Sequence, residues 1–199
     1  MTRPRRYSDA GQAFPIYITV VGGLLFLALA YFAVGQATVN RGGAQTAADA
    51  AALAAAQDAR DQLAGEWIRD VIDPDKWQNI FDGNSQGLQP SCWRAYELAQ
   101  RNDAHVIECG ASGPLAYTVR VETNKSMGKS VVPITARKHS KALATAVIEP
   151  LCKFKPLSVD AGADLLPRLT CKNRYWDFDP QDLGDLPSPQ DLFDVHLAD

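Results

Sequence analysis

The spacing of apolar and polar residues changes character three times along this chain. From Ala10 to Asn40 there is no charged side chain, and Phe14 to Val34 is almost continuously apolar. About 20 residues rising about 1.5 Å each match the roughly 30 Å hydrocarbon layer of a bilayer, so the run predicts a transmembrane helix. Ala33-Val-Gly35 offers small residues at signal-peptidase spacing, which leaves a cleaved leader as the rival. The apolar core of a leader is shorter, about 7–15 residues, and an uncleaved anchor is the better reading.

The next stretch is ruled by a spacing of four. Gly43, Ala47, Ala51, Ala55 and Ala59 form one row, and Ala44, Ala48, Ala52 and Ala56 form a second. Alanine has the strongest intrinsic helix preference, and four-residue spacing stacks side chains along one side of a helix. Small rows admit a second helix at close range. The expectation is a helix-packing interface at Gly43, Ala47, Ala51, Ala55 and Ala59, directed at partner subunits. An Ala-rich stalk, or a helix lying on its own domain, stays open as the alternative. Gly42 and Gly43 are expected to bend the helix near the membrane surface.

From about residue 60 the pattern becomes that of a mixed globular domain. Leu63, Trp67, Val71 and Ile72 continue a helical face until Asp73-Pro-Asp75 stops it. Trp77–Phe81 is a short apolar patch and 82–87 a loop. Ser91 reads as the N-cap of a helix reaching about Asn102. Strands follow at 105–109, 115–123, 131–137 and 141–148, with a last one over 169–176. Alternation is cleanest where Tyr117, Val119 and Val121 face one way and Thr118, Arg120 and Glu122 the other. The chain thus divides into a basic N-terminus (1–12), an anchor (13–36), an Ala-rich helix (37–66), an α+β domain with an antiparallel sheet (67–171) and an acidic tail (172–199).

Charge orients these parts. Arg3, Arg5 and Arg6 precede the anchor, and positive flanks stay on the cytoplasmic side, so the domain is expected outside the cell membrane. Cys92, Cys109, Cys152 and Cys171 all fall in that outer part, without any Cys-x-x-Cys spacing. An even count in an oxidising compartment reads as two disulfides. Three connectivities are open; Cys92–Cys109 and Cys152–Cys171 are favoured because each brackets a compact local unit. The net charge of −3 argues against a nucleic-acid partner.

A basic start, Asp9-Ala-Gly-Gln12, an apolar anchor and the run Gln45-Thr-Ala-Ala-Asp-Ala-Ala-Ala-Leu-Ala-Ala-Ala56 together resemble the TadE/TadG-like proteins of tight-adherence (Flp) pilus systems. The resemblance covers residues 9–59. It implies a membrane-anchored structural or assembly component of a pilus or secretion apparatus, an α+β domain outside, and partners among other Tad-like components, with self-association as a further expectation. The Phe14-Pro-Ile-Tyr17 variant fits an actinobacterial version. In the TadE branch, prepilin peptidase cuts after a glycine and a glutamate stands fifth in the mature chain. Gly11 and Gln12 would be that processing site, but the fifth residue would be Ile16, so the chain leans to the TadG-like branch.

Little here points to catalysis. His105, His139 and His196 have no zinc-protease spacing, and no Gly-x-Ser-x-Gly turn occurs. No cofactor or metal is expected. The alternative is a binding or sensing domain that recognises anionic cell-envelope material through its basic strands. Residues 120–155 carry eight basic and two acidic residues, whereas 172–199 carry seven aspartates against Lys172 and Arg174. The acidic tail also holds Leu192, Phe193, Val195 and Leu197. Those residues are expected to dock on the basic strands, through burial of apolar surface more than through charge.

Overall fold

The computed structural model describes residues 13–126, 138–157 and 165–198. The expected strand at 131–137 and the candidate processing residues Gly11 and Gln12 lie outside them. The fold is α+β, built on one helix of unusual length. Helix α1 runs from Ala13 to Arg69, 57 residues, so the anchor and the Ala-rich segment are a single element. It passes through Gly42 and Gly43 without a break, where the sequence predicts a bend. A helix of this length spans about 85 Å at about 1.5 Å per residue.

Short elements follow. Helix α2 (Pro74–Phe81) starts at the same Asp73-Pro74 that ends the preceding turn; Pro74 occupies its first turn, where a missing N–H costs nothing. Helix α3 (Cys92–Arg101) has Ser91 as N-cap residue and Asn102 as C-cap residue. Strands β1 (Ala104–Gly113), β2 (Ala116–Thr123) and β3 (Lys141–Pro150) then form an antiparallel meander. A second, small antiparallel sheet contains β4 (Cys152–Phe154), β5 (Leu169–Cys171) and β6 (Arg174–Trp176). The expected single strand over 169–176 is therefore a hairpin, turned at Lys172 with φ +48°. After α4 (Pro189–Leu192), strand β7 (Phe193–Leu197) pairs with β3, giving the main sheet the order β1-β2-β3-β7.

Alternation puts Val119 and Val121 of β2, and Ala144, Ala146 and Ile148 of β3, into the core. The outer half of α1 packs against β2, β3 and β7 and also against α3. The opposite sheet face is open to solvent, as antiparallel sheets allow. One loop is tied tightly to this frame. Gly83 has φ +72°, and a Cβ there would stand 2.6 Å from the Pro114 carbonyl oxygen, so only glycine fits the turn after α2.

Candidate functional site: a helix exposed at one end and buried at the other

The two halves of α1 have opposite environments. Phe14–Phe32 has a mean hydropathy of 2.0, is long and apolar enough to cross a membrane, and contributes nothing to the buried core. Phe14, Phe26 and Tyr31 are 71 %, 72 % and 84 % exposed. A water-soluble surface rarely carries so large a contiguous apolar patch. The threonine hydroxyl of the span is satisfied within the helix, Thr19 Oγ1 donating to the Pro15 carbonyl, and Thr38 Oγ1 just beyond it donates to that of Val34, a pattern suited to a solvent that offers no hydrogen bonds. A Cβ on Gly22, Gly23 or Gly35 would meet no other atom within 4 Å.

Beyond residue 43 the same helix becomes the centre of the domain. Ala44, Ala47, Ala48, Ala51, Ala52, Ala55 and Ala56 are completely buried, and Ala59 nearly so. The expected helix-packing interface is thus corrected. Ala47, Ala51, Ala55 and Ala59 are enclosed within the chain's own fold, and only Gly43 of that row is exposed. The physical reason lies in the two flanks of α1, a sheet and α3. A helix covered from more than one side is apolar over most of its circumference. Methyl-sized side chains let both neighbours approach.

Enlarging the row therefore acts on the fold. Ala51→Leu should destabilise the folded domain by about 1–3 kcal/mol, because the added atoms have no space in a filled interface. Chemical denaturation of the full chain, followed by tryptophan fluorescence, measures it. An unchanged midpoint would mean that this face of α1 is open.

At the far end of α1 an aromatic cluster closes the core. The Trp67 ring lies 5.2 Å from Trp77 and 5.5 Å from Phe178, and Phe81 lies 5.5 Å from Phe193. The Trp77 indole donates to the Asp70 carbonyl at 3.2 Å, whereas the buried Trp67 Nε1 has no partner among the described residues. Two disulfides tie neighbouring elements to this frame. Cys92–Cys109 joins α3 to β1, and Cys152–Cys171 joins β4 to β5. Bridges closing loops of this size contribute about 3 kcal/mol each in the chain-entropy model.

The C-terminal segment belongs to the same core. Leu192 and Phe193 are fully buried, and Val195 and Leu197 pack partly against the cluster. The backbone of β7 pairs with β3 from Ala146–Leu197 to Pro150–Phe193. Among the described residues, no ion pair links 172–199 to a cation of 120–155. Asp177 instead takes two hydrogen bonds from Arg168, at 2.6 and 2.8 Å. Asp191 accepts from the Ser188 hydroxyl and backbone N–H, at 2.6 and 2.9 Å. These bonds, the hydroxyl's first, hold its carboxyl below the usual carboxylate range. Burial and ladder hydrogen bonds, rather than charge, hold the segment in place.

Among the described residues, cations on and beside the solvent face of the sheet meet acidic partners. Arg120 faces Glu108 at 3.3 Å, Lys125 faces Asp103 at 2.7 Å, and Lys141 faces Glu122 at 3.6 Å. The sequence reading missed one cluster. Glu149, Asp194 and His196 bring their ligand-type atoms within 4.8 Å of one another, all exposed. Glu149 and Asp194 stand directly opposite across β3 and β7, an arrangement that costs stability when both are charged. Reading β7 as a strand would have revealed it.

Comparison with known proteins places one match on this frame. Residues 11–58 match the family model described as putative Flp pilus-assembly TadE/G-like. That stretch takes in the exposed anchor half of α1 and the start of its buried half. Neither the curated proteins nor the solved structures yield a match.

Proposed function

We propose, from the match of residues 11–58 to a TadE/G-like family model, that the chain is a single-pass, membrane-anchored structural part of a Tad-type pilus assembly apparatus, minor-pilin-like in form. The observation that carries this reading is the division of α1. Its first half exposes an apolar surface that a bilayer and partner anchors would cover, and its second half is consumed by a folded domain. The role is therefore one of holding and positioning. Contacts with other pilus components run along residues 14–43, where Gly22, Gly23, Gly35 and Gly43 leave open space beside the helix. This replaces the alanine row as the surface for partners or for a second copy.

The domain lies outside the cell membrane and the N-terminus inside. Arg3, Arg5 and Arg6 before the span and two disulfides in the domain both support that orientation. Deleting the gene should abolish or sharply reduce surface pili, and the full chain supplied in trans should restore them. A variant with Leu24→Lys and Leu27→Lys should leave the membrane fraction and fail to restore them. Normal pili in the deletion strain would refute the reading.

A further inference from the structure

Among the described residues, the end of the domain nearest the anchor is a plate of three chain segments. The Asn124 N–H donates to the Asp103 carbonyl and the Thr123 N–H to the Ser140 carbonyl, while His139 Nδ1 lies 2.7 Å from the Thr123 carbonyl. His105 Nδ1 meets Asn124 Oδ1 at 2.9 Å. Residues 101–105, 122–126 and 138–141 are thereby fixed at one level. Two contacts set which end of the domain this is. Gln45 Nε2, early in the buried half of α1, lies 3.5 Å from the Leu143 carbonyl near the start of β3. The other end of β3, Pro150, is paired with Phe193, which belongs to the aromatic cluster of Trp67, Trp77 and Phe81. Strand β3 therefore runs outward beside α1, and the plate faces the anchor.

Its height follows from helix and strand geometry. Gln45 is about 20 Å beyond Phe32 along α1, and Lys141 is two strand residues, about 7 Å, back toward the anchor. The plate thus stands about 13 Å above the end of the apolar span. Polar headgroups fill about 5–8 Å of that distance. The remaining gap is shorter than the Debye length of about 8 Å at physiological salt and within reach of a lysine side chain. Cations gather at this level: Arg101, Lys125, Lys138 and Lys141 on the plate, and exposed Arg41 on the helix below it. Asp103, Glu122 and Glu97 oppose them through exposed or half-exposed pairs, which leaves a net +2 among these described residues with the histidines neutral.

Given the membrane-anchor reading, we infer that this plate is an interaction surface for anionic phospholipid headgroups of the bilayer the anchor crosses. It seats the domain on the membrane and fixes its height and tilt relative to neighbouring anchors. The test uses the full chain in lipid nanodiscs, with a fluorescent amino acid at Ser126 and a trace of headgroup-quencher lipid. Phosphatidylcholine discs are compared with discs containing one third phosphatidylglycerol. Each basic residue near an anionic surface is worth about 1 kcal/mol, about fivefold in occupancy. With Lys125 and Lys141 half neutralised by their partners, the three plate lysines act as about two charges, so the seated-to-unseated ratio should favour the anionic discs about 25-fold, and that preference should fall in 0.5 M salt.

The combined variant Lys125→Gln, Lys138→Gln, Lys141→Gln should lose that preference with an unchanged thermal midpoint. Lys153→Gln with Lys155→Gln should keep it. Equal quenching in both lipid mixtures, with the chain fully reconstituted, overturns the surface alone. A chain that does not enter the discs contradicts the anchor, and this surface with it.

Discussion

Trp67→Ala is expected to destabilise the folded domain by about 3–5 kcal/mol, a large part of the stability of a domain this size. Trp67 is fully buried between Trp77 and Phe178, on the same helix that carries the anchor. Its loss would open a cavity where α1, α2 and the C-terminal segment meet. Trp67→Phe gives the contrast. The Trp67 Nε1 is buried without a partner among the described residues, and an unsatisfied N–H costs about 1–3 kcal/mol. Removing it offsets much of the lost volume, so this variant should be far closer to wild type. Trp77→Phe has no such relief, because it removes a made hydrogen bond to the Asp70 carbonyl, which then keeps only the Asp73 N–H as donor. Denaturant titrations of the three variants decide it. A Trp67→Phe cost equal to that of Trp67→Ala would mean that the indole N–H is satisfied by water.

Phe193→Ala should cost about 3–5 kcal/mol as well. Phe193 is fully buried against Phe81 and is the first residue of β7. Asp194→Ala, one residue on and exposed, should change stability by no more than about 0.5 kcal/mol. The pair separates a C-terminal segment that completes the sheet from one that only adds charge. Equal, small effects at both positions would mean that residues 189–198 are a solvated tail.

The ease with which elements could be read from sequence followed physical rules. The anchor stood out because a bilayer demands about 20 uncharged residues in a row. Helix α3 and strands β2 and β3 were legible because each has one solvent face and one core face. Val119 and Val121, like Ala144, Ala146 and Ile148, alternate with polar or exposed neighbours. Each favoured cysteine pair is bonded within one local unit. The alanine rows misled because a methyl group says that something comes close, not what it is. Sheet strands and α3 satisfy the spacing as well as a partner helix would.

Composition hid β7. Phe193, Val195 and Leu197 alternate with Asp194 and His196 at the strand period, but the surrounding aspartates and prolines read as a tail. Helix α2 was masked because Asp73-Pro74 is at once a stop for one helix and a start for the next. Strands β4, β5 and β6 have three residues each, too few to show a period. Functional information is concentrated in residues 11–58, where the family match lies. The domain beyond encloses the second half of α1.

The most direct test of a helix exposed for partners at one end and consumed by its own domain at the other is photocrosslinking in cells that assemble pili. A photoreactive amino acid is placed singly at Leu24, Leu27 or Val34 in the anchor, and at Gln57, Trp93 or Tyr175 on the domain, all exposed sites. The account predicts that the anchor positions form adducts with other membrane components of the pilus apparatus or with a second copy of the chain, and that Gln57 forms none. Adducts from Gln57, with none from any anchor position, would contradict it.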